Sequence, residues 1–493
     1  MTKKMIVLML LIGMFLTSLP LTDSNVTENS INYIKQSPFR INNNSDFSTY
    51  ASSGDGSEEN PWVIENYNIS DEDSYVGIYI GNTTEHYILR NCLISNLSFA
   101  PISNRNCIYI YNSTNGIVDG NNVTDHDNGI VVEDSKKMVV KDNEIAVMDS
   151  YGIVFAGCSN STAKNNYIRV ANQGITFTDG TEYSKALNND IKYVDDGIVS
   201  YSDNNFIEEN NIANFTTGIF IGFCQYQTIK NNIIEIQEGS LNNVRADPCI
   251  GIVSRLSGDS LIDGNYISNT IYAIYSDDSV GNDIKDNVVD SNQIGIYVEN
   301  SGHELVRGNI VSNNTDYGVL IDKSNNTNIY GNLIQNNKES GEGDSVGVRI
   351  TSYEDSIVYH NNFINNDVHG SCADINNDWN APYPIGGNYW DTYDGYDNYS
   401  GINQNIAGSD GFGDTSFTIS GGEPPIVDEY PLMERIDLFP EEEVEEPQPQ
   451  PDEEVHPFTN LAENITVAVI IFAIGIVAVM VIKMFSGDKN VYD

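Results

Sequence analysis

A phrase of the form Asn-X-aliphatic returns along this chain with its Asn at 91, 121, 143, 166, 189, 210, 232, 265, 287, 309, 332 and 362. The gaps are 30, 22, 23, 23, 21, 22, 33, 22, 22, 23 and 30, a period near 22 broken by three single insertions. A unit this short cannot bury a core alone, so the units must stack into a solenoid or array. A second phrase runs in step: a small residue, an aliphatic one, any residue, then an apolar or small one. It stands at Gly77, Gly129, Gly152, Gly174, Gly197, Gly218, Gly251, Gly295, Gly318 and Gly347, with Cys107 and Ala273 replacing Gly in two units. Its alternation has period two, the period of a strand. Ile78, Ile108, Ile130, Ile153, Ile175, Ile198, Ile219, Ile252, Ile274, Ile296, Val319 and Val348 then form one inward column. Asn suits the turns because it tolerates left-handed backbone angles and bonds its neighbouring backbone.

Short strands, turns at fixed offsets and no helical period leave one economical architecture. The chain coils, and equivalent strands pair in parallel as a right-handed parallel β-helix, all-β, with about 12 coils of ~22 residues over 76–366. Such a rod is roughly 58 Å long at about 4.8 Å per coil. A leucine-rich repeat has a similar period but a different Leu pattern and a helical segment. A β-helix exposes a sheet edge at each end. Residues 25–75 are expected to supply the first cap and first strands, and the Gly-, Tyr-, Trp- and Asp-rich module 367–436 the last cap.

The flanks place the rod. Lys3 and Lys4, an apolar run Ile6–Leu16 and a short polar segment read as a signal peptide over 1–24. A second apolar run, Ile465–Ile482, is just long enough for a membrane helix over 464–485. Lys483 and Lys489 put the tail 486–493 in the cytoplasm and the rest outside. Between rod and span, 437–463 holds ten acidic residues, no Lys or Arg, and the run Pro447-Gln448-Pro449-Gln450-Pro451, the composition of an extended stalk. The expected protein is single-pass in the cell membrane, with an extracellular ectodomain.

Composition then excludes a partner class. With 24 Lys+Arg against 70 Asp+Glu the net charge is −46, so no nucleic acid is held through a basic patch. Asn-X-Ser/Thr acceptors, among them Asn82, Asn112, Asn160, Asn313 and Asn398, make the exported part a candidate glycoprotein. Six cysteines allow fifteen pairings. Cys158 and Cys224 share a slot three coils apart, too far to bridge, whereas Cys249 is within reach of Cys224.

The segment Ile41-Asn42-Asn43-Asn44-Ser45-Asp46-Phe47 and the stretch Pro61-Trp62-Val63-Ile64-Glu65-Asn66-Tyr67 open the rod. Trp379-Asn380, Tyr383-Pro384, Gly386-Gly387-Asn388-Tyr389-Trp390, Asp410-Gly411-Phe412-Gly413-Asp414 and Tyr430-Pro431-Leu432-Met433 close it. With the repeats between, this pattern resembles the carbohydrate-binding and sugar-hydrolysis β-helix repeats of NosD-type proteins, and the closing module is similar to archaeal surface proteins. The resemblance covers roughly 40–435 and implies a pectin-lyase-like solenoid. NosD-type periplasmic proteins are named for copper delivery to nitrous oxide reductase. This sequence departs from that role: outside the hydrophobic segments it has only Met138, Met148 and Met433, and only His360, His369 and Cys372 come near one another in sequence.

Three places could carry chemistry. Asp127, Asp149, Asn172 and Asp195 recur at the repeat period, and His126 stands beside the first. Stacked carboxylates at coil spacing approximate the separations of glycosidase pairs, and His126 could serve an epimerase or lyase as acid or base. Asp and Asn are also the ordinary residues of turns. The outward column beside the inward one holds Tyr79, Tyr109, Phe220, Tyr275 and Tyr297, candidate platforms for sugar rings; aromatic residues also simply favour strands. Asp374, Asn376 and Asp378, with Asp410 and Asp414, offer calcium alternating oxygen ligands that would staple the cap. The reading is a membrane-anchored surface protein with a structural, adhesive or carbohydrate-binding role toward surface polysaccharide or surface-layer proteins. The alternatives are a polysaccharide-active enzyme on the Asp ladder and, more distantly, copper handling.

Overall fold

The computed structural model describes residues 32–70, 74–95, 105–237, 249–338, 345–351, 355–421 and 425–438. The candidate signal peptide, most of the stalk, and the apolar run 465–482 lie outside these residues. Among the described residues no helix is long and apolar enough to cross a membrane. The compact unit ends at Leu438.

Each coil has three strands. The Asn phrase opens strand a, the Gly phrase is strand b, and a three- or four-residue strand c completes the turn. Strand c builds a 13-stranded sheet, so the rod has about 13 coils; strands a and b share a 24-stranded sheet. Pairing between coils is parallel and in the register the repeat demands: Ile130 faces Ile108 and Ile153, and Ile153 faces Ile175. The inward Ile/Val column is fully buried from Ile78 to Val348. At about 4.8 Å per coil, each branched side chain packs on its equivalent above and below. The 24-stranded sheet runs on past residue 366: Val368–Cys372 pairs with the coil before it, and Tyr389–Trp390 extends strand a.

The two sequence phrases have distinct physical causes. A Cβ at Gly152 would meet the Gly174 carbonyl oxygen at 2.6 Å and the Ile168 side chain at 2.8 Å, and Gly174, Gly197 and Gly218 are as crowded. The small residue is therefore required by the next coil. The Asn phrase is a buried amide ladder. Along Asn121, Asn143, Asn166, Asn189, Asn210, Asn232, Asn265, Asn287, Asn309, Asn332, Asn361 and Asn388, each Nδ2–H donates to the Oδ1 of the next at about 3 Å. Most of these amides also donate to a carbonyl on the strand c of a preceding coil, so one side chain ties the coil behind it as well as the coil ahead. Register moves two of the expected positions: Cys92 rather than Asn91 precedes Asn121 in the slot, and Asn361 rather than Asn362 follows Asn332.

A second ladder runs through Ser135, Thr181, Ser257, Ser279, Ser301 and Ser324, and Cys158 and Cys224 occupy its serine slots, their thiols against carbonyls. All six cysteines are free and buried, so the pairing of Cys224 with Cys249 is not formed. Burial pushes the Cys158 and Cys224 thiols up to about 11, which keeps them protonated.

The closing module plugs the last coil with aromatics. Phe363 stacks on Trp390 at 4.3 Å, and Trp390 on Phe417 at 4.4 Å. Asp428 accepts from Asn388 N at 2.8 Å, Trp390 Nε1 at 2.9 Å and Tyr430 N at 3.0 Å. Desolvation pushes this carboxyl up to about 7 despite those donors. The exposed edge is thus covered by rings and one buried acid.

Candidate functional site

The Asp ladder assembles in register, but its members differ in environment. Asn172 pairs with Asp195 by the alignment of Ala171 with Val194 and Gln173 with Asp196, and Asp149 sits in a bulge opposite Asp127. Asp127 is buried in a bidentate pair with Arg105, at 2.6 and 2.9 Å, and that guanidinium holds its carboxyl below the usual range. Asp149 and Asn172 are exposed, and Asp195 is half-buried. His126 does not join them. It is in register with Met148 and turned into the core, 4% exposed. Neither ring nitrogen has a partner, and burial lowers its pKa to about 4. A neutral, enclosed imidazole cannot exchange protons with a substrate on the outer face.

The outward aromatic column packs on itself. Arg40 covers the Tyr79 ring at 3.9 Å, and Tyr275 stacks on Tyr297 at 5.0 Å. The Tyr109 hydroxyl donates to Glu133, and that of Tyr275 to Glu299 at 2.7 Å. Tyr79 and Tyr275 are buried; Tyr109, Phe220 and Tyr297 are half-buried. In the cap, Asp374 accepts from Asn376 N, Asp410 from Gly401 N and Phe412 N, and Asp414 from Asn398 N and Tyr399 N. Asp378 is half-buried and its carboxyl is raised, chiefly by burial. Among the described residues no three of His, Cys, Asp or Glu cluster closely enough to hold a metal ion.

The residues that stand out structurally are others. One turn, between strands c and a, needs a left-handed residue in every coil and uses Asn, Gly, Asp, Glu or His: Asn66, Asn165, Asn188, Gly308 and His360 are examples. The two corners that bound strand b depart from that economy. Val147, Val170 and Tyr193 are left-handed where strand a bends into b, at φ of 58°, 56° and 59°. Tyr183, Phe223, Tyr226 and Leu256 are left-handed where b turns into c, at 54°, 57°, 58° and 52°. For β-branched and bulky residues such angles are genuine outliers, costing on the order of 1–3 kcal/mol each. All seven side chains are also exposed, from 48% at Val147 to 68% at Phe223. They therefore gain little burial to offset the strain.

Six of the seven belong to coils with the long continuous strands Glu144–Ala156, Tyr167–Phe177, Asp190–Ser200 and Asn211–Gly222, in which a and b are joined, while Leu256 follows the separate strand Ile250–Arg255. Between the two strained corners, the outer face of strand b holds Val154, Thr176 and Val199, each under 9% exposed, with Tyr151 and Tyr201 at 37% beside them. Asp196 accepts from Gln173 Nε2 at 3.1 Å, and burial raises its carboxyl above the usual range. The sequence signal existed. Aligned repeats put Asp125, Asn214, Asn269, Ser291 and Asn313 in the slot that Val147, Val170 and Tyr193 fill.

Residues 52–192 match the family of right-handed β-helix regions, and residues 251–395 match the family described as periplasmic copper-binding protein (NosD). The chain is a NosD-type right-handed β-helix repeat protein. No curated protein matches it. Among solved structures, the periplasmic alginate epimerase AlgG is similar at 15% identity, over 70% of this chain and 84% of that one, with a TM-score of 0.38. The surface adhesin PfbA of Streptococcus pneumoniae is similar at 14% identity, over 54% and 78%, with a TM-score of 0.35. The catalytic domain of a GH87 alpha-1,3-glucanase is similar at 13% identity, over 65% and 64%, with a TM-score of 0.40. These likenesses are of the fold alone.

The copper of the NosD description does not fit the donors in the matched region. His360 Nε2 is bound to the Ile385 carbonyl at 2.7 Å, His369 lies 2.8 Å from Asp391, and the Cys372 thiol points at the Asp374 carbonyl. Each is engaged separately, with no soft ligand set converging.

Proposed function

We propose that this protein binds polysaccharide at the cell surface through the outer face of strand b, between its two strained corners. The observation that carries the reading is the run of exposed Val147, Val170, Tyr193, Tyr183, Phe223, Tyr226 and Leu256 in left-handed backbone. Strain kept with no packing gain points to a surface used for recognition. Rings and aliphatic groups interleaved with Gln173, Asp195 and Asp196 suit a ligand with apolar faces and hydroxyl edges. The apolar run 465–482 and the acidic stalk would hold this face away from the membrane, the signal segment having been removed.

The reading is non-catalytic. Its alternative, a polysaccharide-active enzyme, draws support from the raised Asp196 carboxyl among Asp149 and Asp195. The test is full-length protein in detergent, exposed to a glycan array and then to soluble polymers with product analysis. Retention of a polysaccharide without new reducing ends or unsaturated sugars is expected. Released products would overturn the non-catalytic reading, and no retention would overturn the binding one.

A further inference from the structure

An open depression of about 440 Å³ lies on the strand b to c side of this face, lined by Thr178, Asp179, Tyr201 and Phe223. Two of its four walls are exposed rings from successive coils. Phe223 is the most exposed of the strained residues, at 68%, and its left-handed angle presents the ring outward rather than onto the rod. Tyr201 contacts Phe220 at 5.7 Å between centroids, and its hydroxyl lies within electrostatic reach of Tyr151 and Asp196. The ring thus lies over strand b toward the other corner. The remaining walls are a hydroxyl and a carboxylate. No Lys or Arg lines the depression, and Arg255 in the next coil is tied to Asp277 at 2.8 Å.

We infer that this depression is the principal subsite for one unit of a neutral hexose polymer. The inference rests on the polysaccharide-binding reading and narrows its ligand. A pyranose has an apolar C–H face that stacks on an aromatic ring and an edge of hydroxyls that donate to a carboxylate. Tyr201 and Phe223 supply the first contact, and Asp179 and Thr178 the second. A uronate would bring its charge beside Asp179 and Asp196 without a cation to meet it, and like charges repel across a partly desolvated face. That selects neutral sugars over polyuronates.

Phe223→Asn removes the ring and puts an αL-tolerant residue at φ 57°, so the variant should fold at least as stably as the parent. Full-length protein would be titrated with soluble glucan, mannan and galactan, with alginate and polygalacturonate, and with chitosan. At least one neutral polymer is expected to bind. Phe223→Asn and Tyr201→Ser should each weaken it at least tenfold, with the melting midpoint kept for Phe223→Asn. Val170→Asn and Tyr193→Asn, on the opposite corner, separate the two levels of argument. If these lose binding while Phe223→Asn and Tyr201→Ser retain it, the subsite is wrong and the face stands. If all four bind as the parent does, both are wrong. Tighter binding of alginate, polygalacturonate or chitosan than of every neutral polymer overturns the ligand class, and no binding to any polymer overturns both.

Discussion

Replacing Glu304 by Gln should make this protein more stable at neutral pH, and by an amount that grows with pH. Glu304 is fully buried in a polar slot at the turn into strand c. Asn282 Nδ2 donates to its Oε1 at 3.3 Å, while Oε2 has no partner. Desolvation pushes the carboxyl up from 4.5 to about 8. The folded protein therefore keeps a proton that the unfolded chain releases, and stability falls as pH rises from about 4.5 through 8. At about 1.4 kcal/mol per pH unit, the loss reaches about 3 kcal/mol at pH 7 and about 4 kcal/mol at pH 8, where the folded protein begins to release the proton too. Gln fits the slot, since Gln227 fills it three coils earlier and donates to the Ser202 and Gln225 carbonyls. The assay is chemical denaturation of parent and Glu304→Gln at pH 5, 6, 7 and 8. The titration part of the difference should be about 1 kcal/mol at pH 5 and widen with each step. Parallel profiles would refute the claim that Glu304 is a buried, protonated acid in the native rod. Asp428, raised to about 7, titrates in both proteins and cancels in the difference.

Other perturbations test other links. Asn210→Ala removes one rung of the buried ladder, taking the acceptor of Asn189 N and of one Asn189 Nδ2–H and the donor to the Ala186 carbonyl and Asn232 Oδ1, and should cost about 2–4 kcal/mol in denaturation; a loss under about 0.5 kcal/mol would mean the ladder is ornamental. Val170→Asn should raise stability by about 1 kcal/mol or more by relieving its left-handed strain, while weakening polymer binding; a destabilised variant would refute the strain argument. Arg105→Gln leaves Asp127 without its buried partner and should cost about 3 kcal/mol. Because the folded Asp127 pKa is depressed, the parent's advantage holds above the ordinary carboxylate range and is lost as pH falls through the depressed one, so equal unfolding at neutral pH would overturn it.

The rod was legible in the sequence because its causes are local and repeated. An inward Ile every coil, a small residue where the next coil crowds, and an Asn that bonds its own equivalent each leave a mark at the period. His126 and Asp127 show where such reading stops. Period placed both near a corner, but whether each faces out depends on the bulge between Asp127 and Asp149 and on Arg105, which lies outside the repeat phrase. The aromatic column was visible as a pattern, yet its capture by Glu133, Glu299 and Arg40 was not. The strained corners were hidden for the opposite reason. A Val or Tyr in a turn slot is unremarkable until its backbone angle is known. Once known, it separates two kinds of turn in one molecule. The turns between strands c and a obey the preferences of their backbone. The corners around strand b violate them at seven positions, six of them in coils that also fuse strands a and b, and a rod that solves the same turn cheaply elsewhere has no structural need to do so. The departure from the repeat, rather than the repeat itself, marks where this surface meets something else.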